Sequence, residues 1–176
     1  MKTLATVLGF CAVTLFVLSY QLKSRRAIIL TNAASRALYV AQYLLLGAFE
    51  GAILDVAAIP VSLLCNSRDR GFVKKHFLPV FLLSNAALVG LGALTYQNFF
   101  SLFAIGGVLF ETLALWAKKE KHIRLASLAG APFWLVFNLH AAAYGSVVGN
   151  VIALVSITVA ILRYDVLKKE KKESLS

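Results

Sequence analysis

Three ionisable side chains, Arg36, Asp55 and Glu111, stand inside long apolar stretches of this chain. In hydrocarbon each costs roughly 2.5–3.5 kcal/mol on insertion scales, so each must face the interior of a helix bundle, paired or wetted. Arg36 is the one basic residue within its stretch, and its counter-charge is either Asp55 or Glu111. Asp55 then meets a polar solute or only neutralises Arg36. Glu111 is a second candidate counter-charge, or a carboxyl that takes and releases a proton. Arg36 itself offers a cation to an anionic substrate, gates with a carboxylate, or only fixes helix register. A further acid, Glu50, precedes Asp55 in "LGAFEGAILD" and reads as a solvated turn residue at the outer surface.

The elements that position these groups follow from composition. The chain has 176 residues, of which 60% are apolar and 15% charged, with a mean hydropathy of +0.79. That leaves too little polar surface to cover a water-soluble globule. It is read as a membrane protein, and long apolar runs without period-two alternation select helices over a barrel. Charged borders divide the chain into seven runs at 3–22, 27–47, 49–66, 77–96, 98–117, 123–141 and 144–162, each near the roughly 20 residues that cross a bilayer. If all seven cross, Lys2 alone lies on the amino-terminal side; every other Lys and Arg outside the spans falls on the opposite side. The positive-inside rule then places the amino terminus outside and the carboxyl terminus in the cytoplasm. The first run has no small-x-small cleavage site and is expected to be retained.

The net charge of +10 sits in membrane-bordering loops without stacking aromatics, which points to anionic lipid headgroups and not to nucleic acid. Cys11 and Cys65 fall at opposite ends of their spans, too far apart for a disulfide. His76, His122 and His140 have no ligand spacing, so no metal or cofactor is expected. No GxSxG, P-loop, GxGxxG or HExxH occurs, and no enzyme is expected.

Sliding the chain by 95 positions lays the first three runs on the last three. Identities such as Leu44/Leu139, Ala48/Ala143 and Arg68/Arg163 align, Tyr39 meets Trp134, Phe49 meets Tyr144, and Asp55 meets Asn150. The expected fold is all-α, seven transmembrane helices in a 3+1+3 order: a first repeat over 1–70, a linker helix over 71–97, a second repeat over 98–165 and a basic tail over 166–176. Equivalent helices would run the same way, as in parallel-repeat transporters. Trp134 and Asn138, four residues apart, share one helical face.

The segment "RLASLAGAPFWLVFNLHAAAYGSVVGNVIALVSITVAILRYD" (124–165), with "ASRALYVAQYLLLGAFEGAILD" before it, resembles the YgjV family of bacterial inner membrane proteins over most of the chain. By resemblance that family is grouped with the MtN3/PQ-loop superfamily, which includes the SWEET sugar transporters and the KDEL receptors. The resemblance implies that an aromatic residue on the second helix of each repeat and an asparagine on the third line a central cavity. The matching positions are Tyr39 with Asp55, and Trp134 with Asn150. Asp55 stands where the pattern has asparagine, and the first and fifth runs lack the Pro-Gln pair. The expected function is a small-solute carrier, for a sugar or another small polar metabolite, with Tyr39, Asp55, Trp134, Asn138 and Asn150 on the substrate. The alternative is a non-transporting receptor or interaction protein on the same fold. A homo-oligomer is compatible with either.

Overall fold

The computed structural model describes residues 2–166, so the basic tail from 167 onward lies outside the described residues. Among those described, eight α-helices occur and no strand: α1 Lys2–Gln21, α2 Arg25–Leu46, α3 Phe49–Asn66, α4 Gly71–Lys75, α5 Phe77–Leu94, α6 Ser101–Leu115, α7 Glu120–His140 and α8 Tyr144–Ile161, followed by a π-helical turn at Leu162–Val166. Seven long helices lie within or beside the seven apolar runs, and α4 is a single turn before α5. The fifth run becomes helical only at Ser101. Its entry is folded instead by Asn98 Oδ1, which accepts from the Phe100 N–H, and Ser101 Oγ, which accepts from the N–H groups of Gln97 and Asn98; such side-chain bonds compete with helix.

Four helices are long and apolar enough to cross a membrane on their own: α1, α3, α5 and α8 with its continuation to Asp165. The apolar α6 is shorter. The long helices left out, α2 and α7, carry the buried polar residues Asn32, Arg36 and Gln42, and Arg124, Ser127 and Asn138. Polarity is therefore inverted relative to a soluble protein. Large side chains facing outward include Leu82, Leu83, Val155 and Leu162, while Arg36, Asp55, Glu111, Arg124 and Asn138 are buried. Lipid in place of water is the solvent that rewards this arrangement.

The helices pack as a closed ring in the order α1–α2–α3–α6–α7–α8, with α8 returning to α1, and α5 lies outside it against α3 and α6. Positions 95 apart have matching geometry. The α2–α3 turn has Gly47 at φ 75, and the α7–α8 turn has Ala142 at φ 53. The Ala48 N–H donates to Tyr43 O and the Ala143 N–H to Asn138 O, both at 3.0 Å. Tyr43 also donates its hydroxyl to Asn138 Oδ1 at 2.8 Å across a sequence separation of 95. That bond ties the carboxyl end of α2 to that of α7.

One end of the ring collects the basic loops. Arg25 donates to Cys65 O, Leu115 O and Ala117 O, Arg68 donates to Trp116 O, and Arg124 donates to Tyr20 O and Leu22 O. These carbonyls are at helix carboxyl ends, which leave acceptors unsatisfied and favour cations. Arg124 also pairs with Asp165 at 3.2 Å, joining α7 to the turn after α8.

Ala142 occupies the left-handed region that glycine fills at position 47, and that conformation costs a Cβ-bearing residue about 1–2 kcal/mol. Ala142 is exposed, so Ala142→Gly is expected to raise stability by up to about 1 kcal/mol after glycine's own entropic cost, and Gly47→Ala to lower it by a similar amount. Unfolding curves of both variants in one detergent check the pair of signs.

Candidate functional site

The two-residue turn between α2 and α3 makes them antiparallel neighbours. Counted from that turn, Arg36 lies four residues deeper than Asp55, about 6 Å at 1.5 Å per residue. Its long side chain spans that difference. Arg36 Nη1 donates to Asp55 Oδ1 at 2.5 Å, and Nη2 donates to Glu111 Oε2 on α6 at 2.5 Å. Nε donates to Asn32 Oδ1, one turn earlier on α2, at 3.3 Å. All three side chains are at least nine-tenths buried, with side-chain exposures of 2% for Arg36, 3% for Asp55 and 7% for Glu111. The choice between two counter-charges is thus answered by both: one planar guanidinium forks to two carboxylates on two helices. Three of its five N–H groups are used in these bonds.

Above this triad runs a cavity lined from all six ring helices: Phe16 on α1; Ser35, Arg36, Tyr39 and Tyr43 on α2; Asp55 on α3; Glu111 on α6; Trp134 and Asn138 on α7; Asn150 on α8. All seven residues singled out from the sequence, Arg36, Tyr39, Asp55, Glu111, Trp134, Asn138 and Asn150, are brought together here. Phe16, Ser35 and Tyr43 were not foreseen. Tyr43 is the position equivalent to Asn138, and Phe16 the position equivalent to Glu111, so the 95-residue offset held a signal for both.

The aromatic wall is continuous. Tyr39 stacks on Tyr43 at 6.2 Å between centroids, Tyr43 stacks on Trp134 at 6.4 Å, and Phe16 meets Tyr39 edge-on at 6.4 Å. Trp134 lies over Gly107, where a Cβ would come within 2.9 Å of the indole. Two buried donors on its wall, Trp134 Nε1 and Asn150 Nδ2, have no hydrogen-bond partner among the described residues. Buried polar groups are normally satisfied, so idle ones facing a cavity mark where water or a ligand completes the set. The space open to the centre of a water molecule is about 20 Å³, room for one or two waters and not for a sugar.

Glu50 corrects an expectation. It is not a solvated turn residue: it begins the first turn of α3, is 6% exposed, and accepts from Ser101 Oγ at 3.3 Å. The turn before it is short, so α3 starts at Phe49 and draws Glu50 in against α6. It borders a wider crevice of about 240 Å³ at the end of the ring away from the basic loops, lined also by Gln97, Asn98 and His140. Cys11 is exposed and Cys65 buried, and both are free. Among the described residues no group of His, Cys, Asp and Glu is arranged to hold a metal.

Family comparison bears on the whole ring. The family model Imp-YgjV, described as a bacterial inner membrane protein, matches residues 3–168. The chain belongs to this family. The match runs from the first turn of α1 past the end of α8, so it takes in every helix that lines the cavity of this YgjV-family protein. No curated protein and no solved structure matches the chain. The membership establishes a bacterial inner membrane protein.

Removing one member of a buried ion cluster leaves an uncompensated charge, at a cost of about 3–5 kcal/mol. Arg36→Ala in this YgjV-family protein is therefore expected to be the most destabilising single change at the cavity. Tyr43→Phe, which leaves Asn138 Oδ1 unpaired, is expected to cost about 1–3 kcal/mol. Denaturation of the detergent-solubilised variants measures both. A loss for Arg36→Ala no larger than for Tyr43→Phe contradicts the triad's role in holding α2, α3 and α6.

Proposed function

We propose that this YgjV-family protein is a carrier for a small polar solute, working between two three-helix units, α1–α3 and α6–α8, joined by α5. The observation that carries the reading is the cavity within the ring: six helices contribute, its wall contains the equivalent pairs Phe16/Glu111, Tyr39/Trp134, Tyr43/Asn138 and Asp55/Asn150, and two buried donors are left idle. Tyr20 Oη and Trp116 Nε1 are also buried without a partner among the described residues, but only Trp134 and Asn150 of the four line this cavity. The matching turns and the Tyr43–Asn138 bond support the 3+1+3 order of seven spans and its placement beside the MtN3/PQ-loop proteins. In this reading Tyr39 and Trp134 form the walls. Asp55, Asn138 and Asn150 supply polar contacts, and Arg36 with Asp55 and Glu111 is an asymmetric charge system.

A cavity with room for one or two waters is a closed state. Solute entry then requires one unit to rock against the other, opening the α1–α8 and α3–α6 seams at one end. At the basic end those seams are held by Arg124 to the α1 carbonyls and Asp165, and by Arg25 and Arg68 to the α3 and α6 ends. Toward the other end the hydrogen bonds across include Gln42 with Ser146, Glu50 with Ser101 and Tyr43 with Asn138. The charge distribution supports a cytoplasmic basic end, with anionic lipid headgroups as its proposed partner. No catalytic role is proposed for any residue.

Uptake of sugars, organic acids and amines into proteoliposomes tests the reading. At least one solute is expected to accumulate, with a loss of tenfold or more in Asn150→Ala and Trp134→Phe. If wild-type vesicles accumulate nothing, but a solute binds and binding is lost in Asn150→Ala, the protein is a receptor on the same fold. For orientation, Ala142→Cys is expected to react with an impermeant thiol reagent from outside intact cells, and Asp69→Cys only after the membrane is breached. The reverse pattern inverts the topology.

A further inference from the structure

The charges at the cavity floor do not cancel. Arg36 supplies one positive charge, while Asp55 and Glu111, each bonded to a different nitrogen of that guanidinium, supply two negative ones. The other titratable groups facing the cluster are Tyr20 on α1, and Tyr39 and Tyr43 on α2. None of them offers a cation, and among the cavity residues α7 and α8 contribute Trp134, Asn138 and Asn150, which do not titrate. Fully ionised, the triad would leave one negative charge buried in an apolar bundle, where an unbalanced ion is costly. Arg36 cannot meet the shortfall, because a guanidinium carries one positive charge however many bonds it makes to Asp55, Glu111 and Asn32.

We infer that the triad holds one exchangeable proton, carried by Asp55 or Glu111 on an oxygen that Arg36 does not engage. The balance is simple: a carboxylate and a proton from water give a carboxylic acid, whose other oxygen still accepts from the guanidinium. The cavity directly above supplies the route. Its space admits a water, and the idle donors Trp134 Nε1 and Asn150 Nδ2, both on side chains more than nine-tenths buried, can hold that water or a solute's acceptor oxygen beside the acid. When the cavity opens to one side of the membrane, the proton equilibrates with that side. The proton's part in solute movement rests on the carrier reading, whereas its presence in the triad does not.

Infrared difference spectroscopy of the full-length protein in lipid nanodiscs at neutral pH, with exchange from H2O to D2O, reads the site directly. Wild type is expected to show the carbonyl stretch of one buried carboxylic acid per chain, shifted by D2O. Asp55→Asn and Glu111→Gln each leave one acid against Arg36 and are expected to abolish the band. Arg36→Gln is expected to increase it about twofold, since two carboxyls then lack a cation. Glu50→Gln, outside the triad, leaves it unchanged. A wild type without the band overturns the proposal, as does a band that survives both acid substitutions or appears only after sodium is removed. Uptake by the same wild type separates the two readings: a band without uptake of any solute keeps the proton site and sinks the carrier. Uptake without a band does the opposite.

Discussion

A guanidinium placed in the middle of an apolar bundle dictates where three helices must sit. Arg36 cannot shed its charge, and no water-rich surface is within reach of its side chain, so its partners must come to it. Its planar fork donates to two carboxylates at 2.5 Å, and a lysine ammonium would not define those two directions. Asp55 brings α3 and Glu111 brings α6, which are neighbours in the ring where its first half meets its second. Asn32 adds a bond to Nε from the same helix. The polar interior then follows: once α2 must carry Arg36 inward, its outward face is free to be apolar, and the aromatic residues one and two turns above Arg36 become cavity wall.

The same constraint explains why each half of the ring differs from the other where it does. Arg36 and Ser35 have Ala131 and Gly130 at the equivalent positions, and Phe16 stands opposite Glu111. The two turns, however, agree in their left-handed residue and in the backbone bond that follows it. The charges at the cavity are therefore carried by positions whose partners 95 residues away are uncharged.

Much of this was legible in the residues. Charge inside apolar runs marked Arg36, Asp55 and Glu111, because hydrocarbon makes such residues expensive, and the 95-residue offset pointed to Tyr39, Trp134, Asp55 and Asn150. Helix positions followed from charged borders. What stayed hidden was pairing. Nothing in spacing says that one arginine engages both acids, since that depends on how α3 and α6 approach each other. Tyr43 and Phe16 carry no charge to set them apart in an apolar run, and only their 95-residue offset from Asn138 and Glu111 marks them. Glu50 was misjudged because proximity to a turn was equated with solvent, although α6 covers that turn. Arg124 counted only as one more basic loop residue, yet it is buried and bonded to Asp165 and to the end of α1.

The tight turns also bear on how the chain enters its membrane. On their own, α2 and α7 are too polar to rank with the helices apolar enough to cross, and an arginine at mid-span adds roughly 2.5–3.5 kcal/mol to the cost of inserting α2. Each is tied by two or three residues to an apolar successor, α3 or α8. The hairpin, and not the single helix, is then the unit that partitions favourably. In the first hairpin Arg36 already has Asp55 opposite it before α6 has been synthesised, so the arginine enters lipid as half of a neutral pair. Glu111 arrives afterwards, and the surplus negative charge at the cavity floor arises only when the second half of the ring closes on the first.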